Sequence, residues 1–468
     1  MKQIVTLIIA TLIATSCTVY QKYSRPDIAT DNLFGAVTSS DSTNIADIAW
    51  REFFTDPHLQ KLIEQALESN PNMQIAAQRV VEAQASLRSA KLAFFPSVAF
   101  NPSYSLSAPF GGSSSSSYSL PISANWEVDI TGRILNGKRS AQAAYEQSHL
   151  YRQSVQTALI ATVANSYYTL LMLDAQLAIS RTTAASWKEN VRIMKAMKLA
   201  GMANEASVSQ TEANSWEIDA SLYNLEYDIV EVENAIALLI GSTPQKIERG
   251  TIHEQTFSEK LATGLPAQLL SHRTDVRSAE RALQQAFYAT NIAKGAFIPS
   301  LTLGGSLGWQ DQLGKAITSP GSWILSFTTK LAVDIFDRGT KRANLTIAKA
   351  KQEEALINFR HTLLTAGNEV NNALGKCQTA RNKRDIRTRQ IAALESAVNS
   401  TRQLMSHSQS TYLEVLTAQQ KLLNAQLSQI ADKFEEIQGT IELYRALGGG
   451  VDHSEDISTL PKRKRNRK

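Results

Sequence analysis

Two groups of side chains stand at spacings that could do chemistry. Gly132–Arg139 reads GRILNGKR, a Gly-x4-Gly-Lys run of the kind whose amides cradle phosphates, set between a strand-like and a helix-like pattern. Arg139, however, occupies the place where Ser or Thr would hold magnesium. The equivalent stretch later in the chain, Asp337–Arg342 (DRGTKR), lacks the motif and makes the same strand-to-helix transition, so both read as turns and nucleotide binding is set aside. Met194, Met197, Met202 and Met405, the last close to His407, offer soft thioethers that could relay Cu(I) or Ag(I). Methionine is equally a flexible packing residue, and packing is the reading adopted, with no metal centre and no cofactor expected. His58, His149, His253, His272, His361 and His453 are scattered without ligand spacing. No Ser/His/Asp or Cys/His arrangement is legible, so no enzymatic activity is expected.

The elements that must position these groups are bounded by composition. The chain has 468 residues, 43% hydrophobic and 19% charged, enough for a sizeable folded body. Mean hydropathy is −0.20, and beyond the start no run of about 18 uninterrupted apolar residues suggests a spanning helix. The N-terminus, MKQIVTLIIATLIATSC, has a lysine, a short apolar run and small residues before a cysteine, which fits an export signal. Ala14-Thr15-Ser16-Cys17 resembles a bacterial lipobox, in which Cys17 would be lipidated, palmitate included, and become the mature N-terminus. That leaves Cys377 as the sole thiol of the mature chain, so no internal disulfide can form; it reads as a small packing residue. The net charge of +5 is concentrated in the tail PKRKRNRK. Behind an export signal this tail reads as a solvated end, and no nucleic-acid partner is expected.

Landmarks recur after about two hundred residues, the sign of an internal duplication. KLAFFPSVAF (Lys91–Phe100) answers KGAFIPSLTL (Lys294–Leu303), WEVDITGR (Trp126–Arg133) answers LAVDIFDR (Leu331–Arg338), and EASVSQTEA (Glu205–Ala213) answers YLEVLTAQQ (Tyr412–Gln420). Each unit reads as helix, two strands, then two long helices. Asp56 before Pro57 is a strong N-cap. From Arg133 to Leu199 there is no proline, so a helix there could run about 100 Å at ~1.5 Å per residue. After a turn at Gly201 and Asn204, Ile218, Leu222, Leu225, Ile229, Val232, Ile236 and Leu239 form a heptad seam. In the second unit Leu416, Gln420, Leu423, Leu427, Ile430, Phe434, Ile437, Ile441 and Tyr444 do the same. Two antiparallel coiled-coil hairpins are expected.

The strands alternate. Val98, Phe100, Tyr104 and Leu106 face away from Asn101, Ser103, Ser105 and Ser107, and after GGSSSSS the pattern resumes with Leu120, Ile122, Trp126, Val128 and Ile130 opposite Ser123, Asn125, Glu127 and Asp129. Leu301, Leu303, Leu307 and Trp309, then Trp323, Leu325, Phe327, Leu331, Val333 and Ile335, repeat it. One apolar and one polar face per strand suits a membrane β-barrel with a wet interior, with Trp126, Trp309 and Trp323 as interfacial anchors; an antiparallel sheet covered on one side would read similarly. Four strands cannot close a barrel around water. A trimer would supply twelve.

These residues carry a family resemblance. Cys17, Tyr23-Ser24-Arg25-Pro26, Trp50-Arg51-Glu52-Phe53-Phe54 with Asp56 and Leu59, the FFPS and FIPS joints, the two VDI turns and LLSHRTDVRSAE (Leu269–Glu280) together resemble the TolC-like outer-membrane factors, in their OprM/NodT-type lipoprotein branch. The resemblance implies a mainly α fold with a membrane β-barrel: a homotrimer with a twelve-stranded barrel among outer-membrane lipids and an α-barrel tunnel of coiled-coil hairpins in the periplasm. It also implies a passive duct docked to a periplasmic adaptor and an inner-membrane pump, of RND type. The chain divides accordingly into a signal peptide (1–16), a lipidated extended segment (17–55), first-repeat helices (56–95), a first strand pair (96–132) and a first hairpin (133–240). An equatorial linker (241–270), a second-repeat helix (271–298), a second strand pair (299–337), a second hairpin (338–447) and a basic tail (448–468) follow. Pro96, Pro299, Asp129, Asp334 and Gly132 mark the joints between helix and strand.

In the family, periplasmic helix tips close like an iris and acidic rings there favour cations. The resemblance carries this to Glu414 and Thr417 in the last hairpin, where only Glu414 keeps the charge, and to Ser207 with Glu205 and Glu212 nearby in the first. The acidic ring is therefore expected to be thin or shifted. Type I protein secretion and a non-conducting envelope scaffold are the alternatives to an efflux duct.

Overall fold

The computed structural model describes residues 21–28, 33, 45–112, 114–255, 257, 269–312, 322–406 and 412–450. The signal segment, Cys17, His407, His453 and most of the basic tail lie outside them. In chain order the elements are α1 (Trp50–Phe53), α2 (Pro57–Ser69), α3 (Pro71–Leu92), β1 (Ser97–Phe100), β2 (Ser103–Ser107), β3 (Ser115–Val128), α4 (Arg133–Leu199) and α5 (Glu205–Leu239). Then come α6 (Leu269–His272), α7 (Thr274–Gly295), β4 (Ser300–Gln312), β5 (Ser322–Ala332), α8 (Thr340–Ser406) and α9 (Tyr412–Ala446), with short 3-10 turns at Ile45–Asp47 and Ile252–Glu254. The duplication is visible in the lengths: α3 and α7 have 22 residues each, α4 and α8 have 67, and α5 and α9 have 35.

Two compact units divide the chain. The first takes residues 1–28, 78–150 and 277–361 and holds an antiparallel sheet ordered β1-β3-β4-β5, with β2 also on β3. The single strand expected from SVAFNPSYSLSAPF is two. Pro102 has no amide for the ladder, so pairing stops at Phe100↔Ile122 and restarts at Ser103↔Ser119, with Asn101 N donating to the Pro121 carbonyl at 3.2 Å between them. The alternation survives the break. Val98, Phe100, Tyr104, Leu106, Ile122, Leu325, Phe327 and Leu331 are all exposed, Phe327 to 80%. Serines of the other face pair across strands, Ser105 with Ser117 at 2.8 Å and Ser306 with Ser326 at 2.7 Å. Gly308 lets β4 approach β3: a Cβ there would sit 2.6 Å from Pro121 Cα. The N-terminal segment is tied down in the same unit. Arg25 makes a two-pronged bond to Glu280 (2.7 and 2.6 Å) and Tyr23 meets Phe287 edge-on, so two of the stretches that carry the family resemblance are direct partners.

The second unit, residues 29–77, 151–276 and 362–468, contains the main core. Phe54, Leu59, Ile63, Leu170, Leu171, Ile236 and Ile437 are essentially inaccessible. Seam positions Ile218, Ile229, Ile236, Leu416, Leu423, Ile430, Ile437 and Ile441 are buried as expected. Gln420 is not: it is exposed and bonds Asn424, while Gln419 is buried and accepts from Asn190 Nδ2 at 2.6 Å. An amide enters a seam only where a partner satisfies it, and Asn190 on α4 is offered to Gln419. Charges are sorted by helix. Outgoing α4 gives cations to returning α5 (Arg181–Glu226, Lys188–Asp219, Lys195–Glu212), and outgoing α8 gives them to returning α9 (Lys376–Glu442, Arg381–Glu436, Arg387–Asp432). No described helix is long and apolar enough to cross a membrane.

Candidate gate and strand–helix joints

The joints lie in the first unit. Helix α3 stops at Leu92 and α7 at Gly295, and Phe95 N and Ile298 N still donate to Leu92 and Gly295 carbonyls before Pro96 and Pro299 lead straight into β1 and β4. The helices end short of the prolines because the residue before proline is driven out of helical geometry. Trp126 donates its indole N–H to the Phe94 carbonyl at 2.9 Å, beside the same joint; the side chain of Trp323 lies outside the described residues. On the return, Asp129 caps α4 by accepting from the amides of Ile134 (3.0 Å) and Leu135 (2.7 Å), after a turn that needs Gly132 at φ 67°. The second unit of the repeat solves this differently. Asp334, the aligned residue, instead pairs with Lys341 at 3.2 Å, and the capping carboxylate is Asp337, which accepts from Gly339 N (3.0 Å) and Lys341 N (2.7 Å). Three residues later in the sequence, Asp337 sits beside the left-handed pair Arg338 (φ 57°) and Gly339 (φ 83°). The signal for it was the Asp-Arg-Gly turn itself.

The hairpin tips lie in the second unit. At the first, α4 ends at Leu199, Gly201 turns with φ 74° and Asn204 caps α5, its Oδ1 accepting from Ser207 N at 2.8 Å and from Ser207 Oγ at 2.9 Å. Ser207 therefore completes the cap. Glu205 and Glu212, the two nearby acids, face lysines of α4: Glu205 pairs with Lys198, and Glu212 with Lys195 at 2.7 Å. At the second tip, Glu414 is exposed in the first turn of α9, and Thr417, also exposed, turns its hydroxyl onto the Leu413 carbonyl at 2.8 Å. Val208 and Val415, the weak anchors of the repeat, are both buried. Met194 is buried, Met197 and Met405 are half-buried and Met202 is exposed. No cluster of three His, Cys, Asp or Glu ligands stands among the described residues.

Three polar clusters of the second unit were not singled out in the sequence. Asp56 caps α2 through His58 N (2.8 Å) and also accepts from Tyr167 Oη (2.7 Å) and Gln255 Nε2 (2.9 Å); only its capping role is legible from Asp56-Pro57. Burial pushes the Tyr167 phenol well above its ordinary range. Arg249 holds Asp174 at 2.5 Å together with Glu233. Arg273 joins Asp275 (2.5 Å), Glu369 (2.8 Å) and the Ala446 carbonyl (2.9 Å). Burial alone would raise the Asp275 carboxyl, but the Arg273 hydrogen bond and charge outweigh it and hold it below the ordinary value. Apart from Asp275, two residues from Arg273, these partners are distant in sequence and leave no local signal.

The family model described as outer membrane efflux protein matches residues 62–242 and 265–449, most of the chain and both units of the repeat. The chain belongs to the outer membrane efflux protein family. Among its relatives are the cation efflux system protein CusC of Escherichia coli O6:H1 (28% identical, covering 94% of this chain and 97% of the relative) and the solvent efflux pump outer membrane protein SrpC of Pseudomonas putida (28%; 96% and 98%). Among solved channels, CusC superposes with a TM-score of 0.83 at 26% identity over 92% of this chain and 99% of that one, and Neisseria gonorrhoeae MtrE with 0.83 at 27% over 92% and 98%. As in these efflux proteins, the fold combines coiled-coil hairpins of an α-barrel with strands of a β-barrel, and the protein is an outer-membrane efflux channel.

Proposed function

We propose that three copies of this chain close into one passive exit duct, each contributing its strand lines to a twelve-stranded barrel and its two hairpins to a periplasmic tunnel. The observation that carries this is the sheet. Its apolar face is exposed along its length and its outer strands, β1 with β2 on one side and β5 on the other, are open edges. Such a face belongs in lipid and such edges call for further strands. Cys17 anchors the duct through its lipid. A periplasmic adaptor and an inner-membrane pump of RND type deliver the cargo, and the energy comes from the pump.

Glu414, which stands at the family's motif position, is the acid of the resting constriction, with Thr417 a neutral neighbour; at the first tip Glu205 and Glu212 are faced by Lys198 and Lys195. Relatives named for cation efflux, solvent efflux and pyoverdine export are equally similar at 28% identity, which supports a cargo set by the pump. The test is planar-bilayer conductance of purified protein whose subunit number is fixed by native mass spectrometry. Discrete cation-preferring steps from a trimer are expected; a trimer that never conducts, even with its tips loosened by substitution, removes the duct reading in favour of a scaffold.

A further inference from the structure

Helices α8 and α9 begin 207 residues after α4 and α5, Thr340 against Arg133 and Tyr412 against Glu205, so each place in the second hairpin has a counterpart in the first. In the first hairpin a cation of the linker is held between the two helices. Arg249 reaches Asp174 of α4 at 2.5 Å and also pairs with Glu233 of α5. The residues at the same two places of the second hairpin are Arg381 and Thr440. Both line a cavity of about 370 Å³ in the second unit, bordered on the linker side by Gln255 and Phe257. The repeat has kept the place and reversed its charge.

Three cations border this cavity, and among the described residues one carboxylate of its lining answers them. Arg381 bonds Glu436 at 3.2 Å. Arg384 stands one turn further along α8, and Lys433 gives its ammonium to the Gln255 backbone carbonyl at 3.3 Å; neither pairs with a described carboxylate. Lys433 also breaks the sorting of charge between the arms, because its neighbours Asp432, Glu435 and Glu436 on α9 are acids that pair with cations of α8. A lysine set among arginines is repelled unless an anion stands between them. We propose that the cavity binds a small organic phosphate, its oxyanion received by Arg381, Arg384 and Lys433 and its organic body resting on Phe257 and Ile437. The guanidinium fork suits phosphate oxygens, and the cavity is large enough for a small molecule rather than a bare ion. Three cations less Glu436 leave a surplus of two, which a phosphate monoester with a charge of about −1.5 to −2 near neutrality offsets and a single carboxylate does not. Once bound, the phosphate joins the linker to α8 and α9 as Arg249 joins it to α4 and α5.

The test uses the purified full-length protein in detergent, with phenyl phosphate as the probe, inorganic phosphate as the oxyanion alone and sodium chloride at matched ionic strength as the blank. Titration calorimetry is expected to show saturable binding of phenyl phosphate, tighter than that of inorganic phosphate, and the thermal midpoint is expected to rise with phenyl phosphate but not with chloride. Arg384→Ala and Lys433→Ala are each expected to weaken binding about tenfold or more, since each removes a charge-assisted hydrogen bond. Lys421→Ala, which removes an exposed cation of α9 outside the cavity lining, is expected to bind as the unsubstituted protein does. Phe257→Ala is expected to bring phenyl phosphate down to the affinity of inorganic phosphate. Arg384 is exposed, and without ligand Arg384→Ala is expected to melt no lower than the unsubstituted protein, because it removes a like charge that has no described acid. Absence of saturable binding, a midpoint shift that chloride reproduces, or binding that survives both Arg384→Ala and Lys433→Ala overturns the site. Equal affinity for the two phosphates overturns the organic body.

Discussion

Tyr167 donates to Asp56 across 2.7 Å, making one carboxylate the shared acceptor of the α2 amides, a tyrosine of α4 and Gln255 of the linker. Asp56→Ala removes a cap worth roughly 1 kcal/mol and leaves buried donors unmet at a further ~1–3 kcal/mol. Thermal unfolding followed by circular dichroism is expected to show a clear drop in midpoint. Asp56→Asn, which keeps a capping oxygen, is expected to lose less.

Lysines of α4 face both acids of the first tip, Lys198 at Glu205 and Lys195 at Glu212. Glu414→Gln is expected to lower the cation-to-anion permeability ratio by about twofold or more, because a trimeric pore would lose three charges at one level. Glu205→Gln is expected to change it less. Lys195→Ala with Lys198→Ala is expected to raise it, by releasing Glu212 and Glu205. Reversal potentials across a salt gradient read all three, and equal responses at Glu205 and Glu414 would count against the assignment.

Gly308 stands where a side chain would strike backbone: an added Cβ meets Pro121 Cα at 2.6 Å and the Leu120 carbonyl oxygen at 2.9 Å. Gly308→Val is therefore expected to force β4 away from β3 and to reduce membrane-inserted protein several-fold, while expression of the unassembled chain persists. Gly305→Ala, whose nearest neighbour would be Phe327 at 3.7 Å, is the tolerated control. Quantitative blotting of outer-membrane fractions distinguishes them.

Arg273 holds Asp275 ionised below the ordinary carboxylate range. A depressed carboxyl adds stability that is fully present above its unfolded pKa of about 4 and is lost as pH falls through the folded value. Melting curves are thus expected to be flat in this contribution near neutrality and to fall below about pH 4. In Asp275→Asn that part of the acid slope is absent, at the cost of lower stability at neutral pH.

The alternations and the repeat were legible because they are local: a period of two in Val98, Phe100, Tyr104 and Leu106, and heptads from Ile218 to Leu239, need only neighbouring residues. The misplacements each involve a partner far away or a competing local solution. Gln420 fits the heptad count, but the buried place belongs to Gln419 because Asn190 stands opposite. Asp334 aligns with Asp129, yet Asp337 takes the cap because Arg338 and Gly339 turn the chain there. Pro102 splits a strand whose alternation runs on unchanged. At the first tip Glu205 and Glu212 stand out in the sequence, while the lysines that face them, Lys198 and Lys195, depend on how α4 and α5 register.

The sorting of cations onto α4 and α8 and anions onto α5 and α9 has a consequence for biogenesis. Within each hairpin the oppositely charged arms are consecutive in the chain, so each can zip up through low-contact-order encounters soon after export. A hairpin that instead paired α4 with α8 would bring like charges together along its length and be disfavoured as an off-pathway product. In the proposed trimer the partners of the edge strands lie on other molecules, so these strands would be the last to find their places and strand capture at the membrane the concentration-dependent step of maturation.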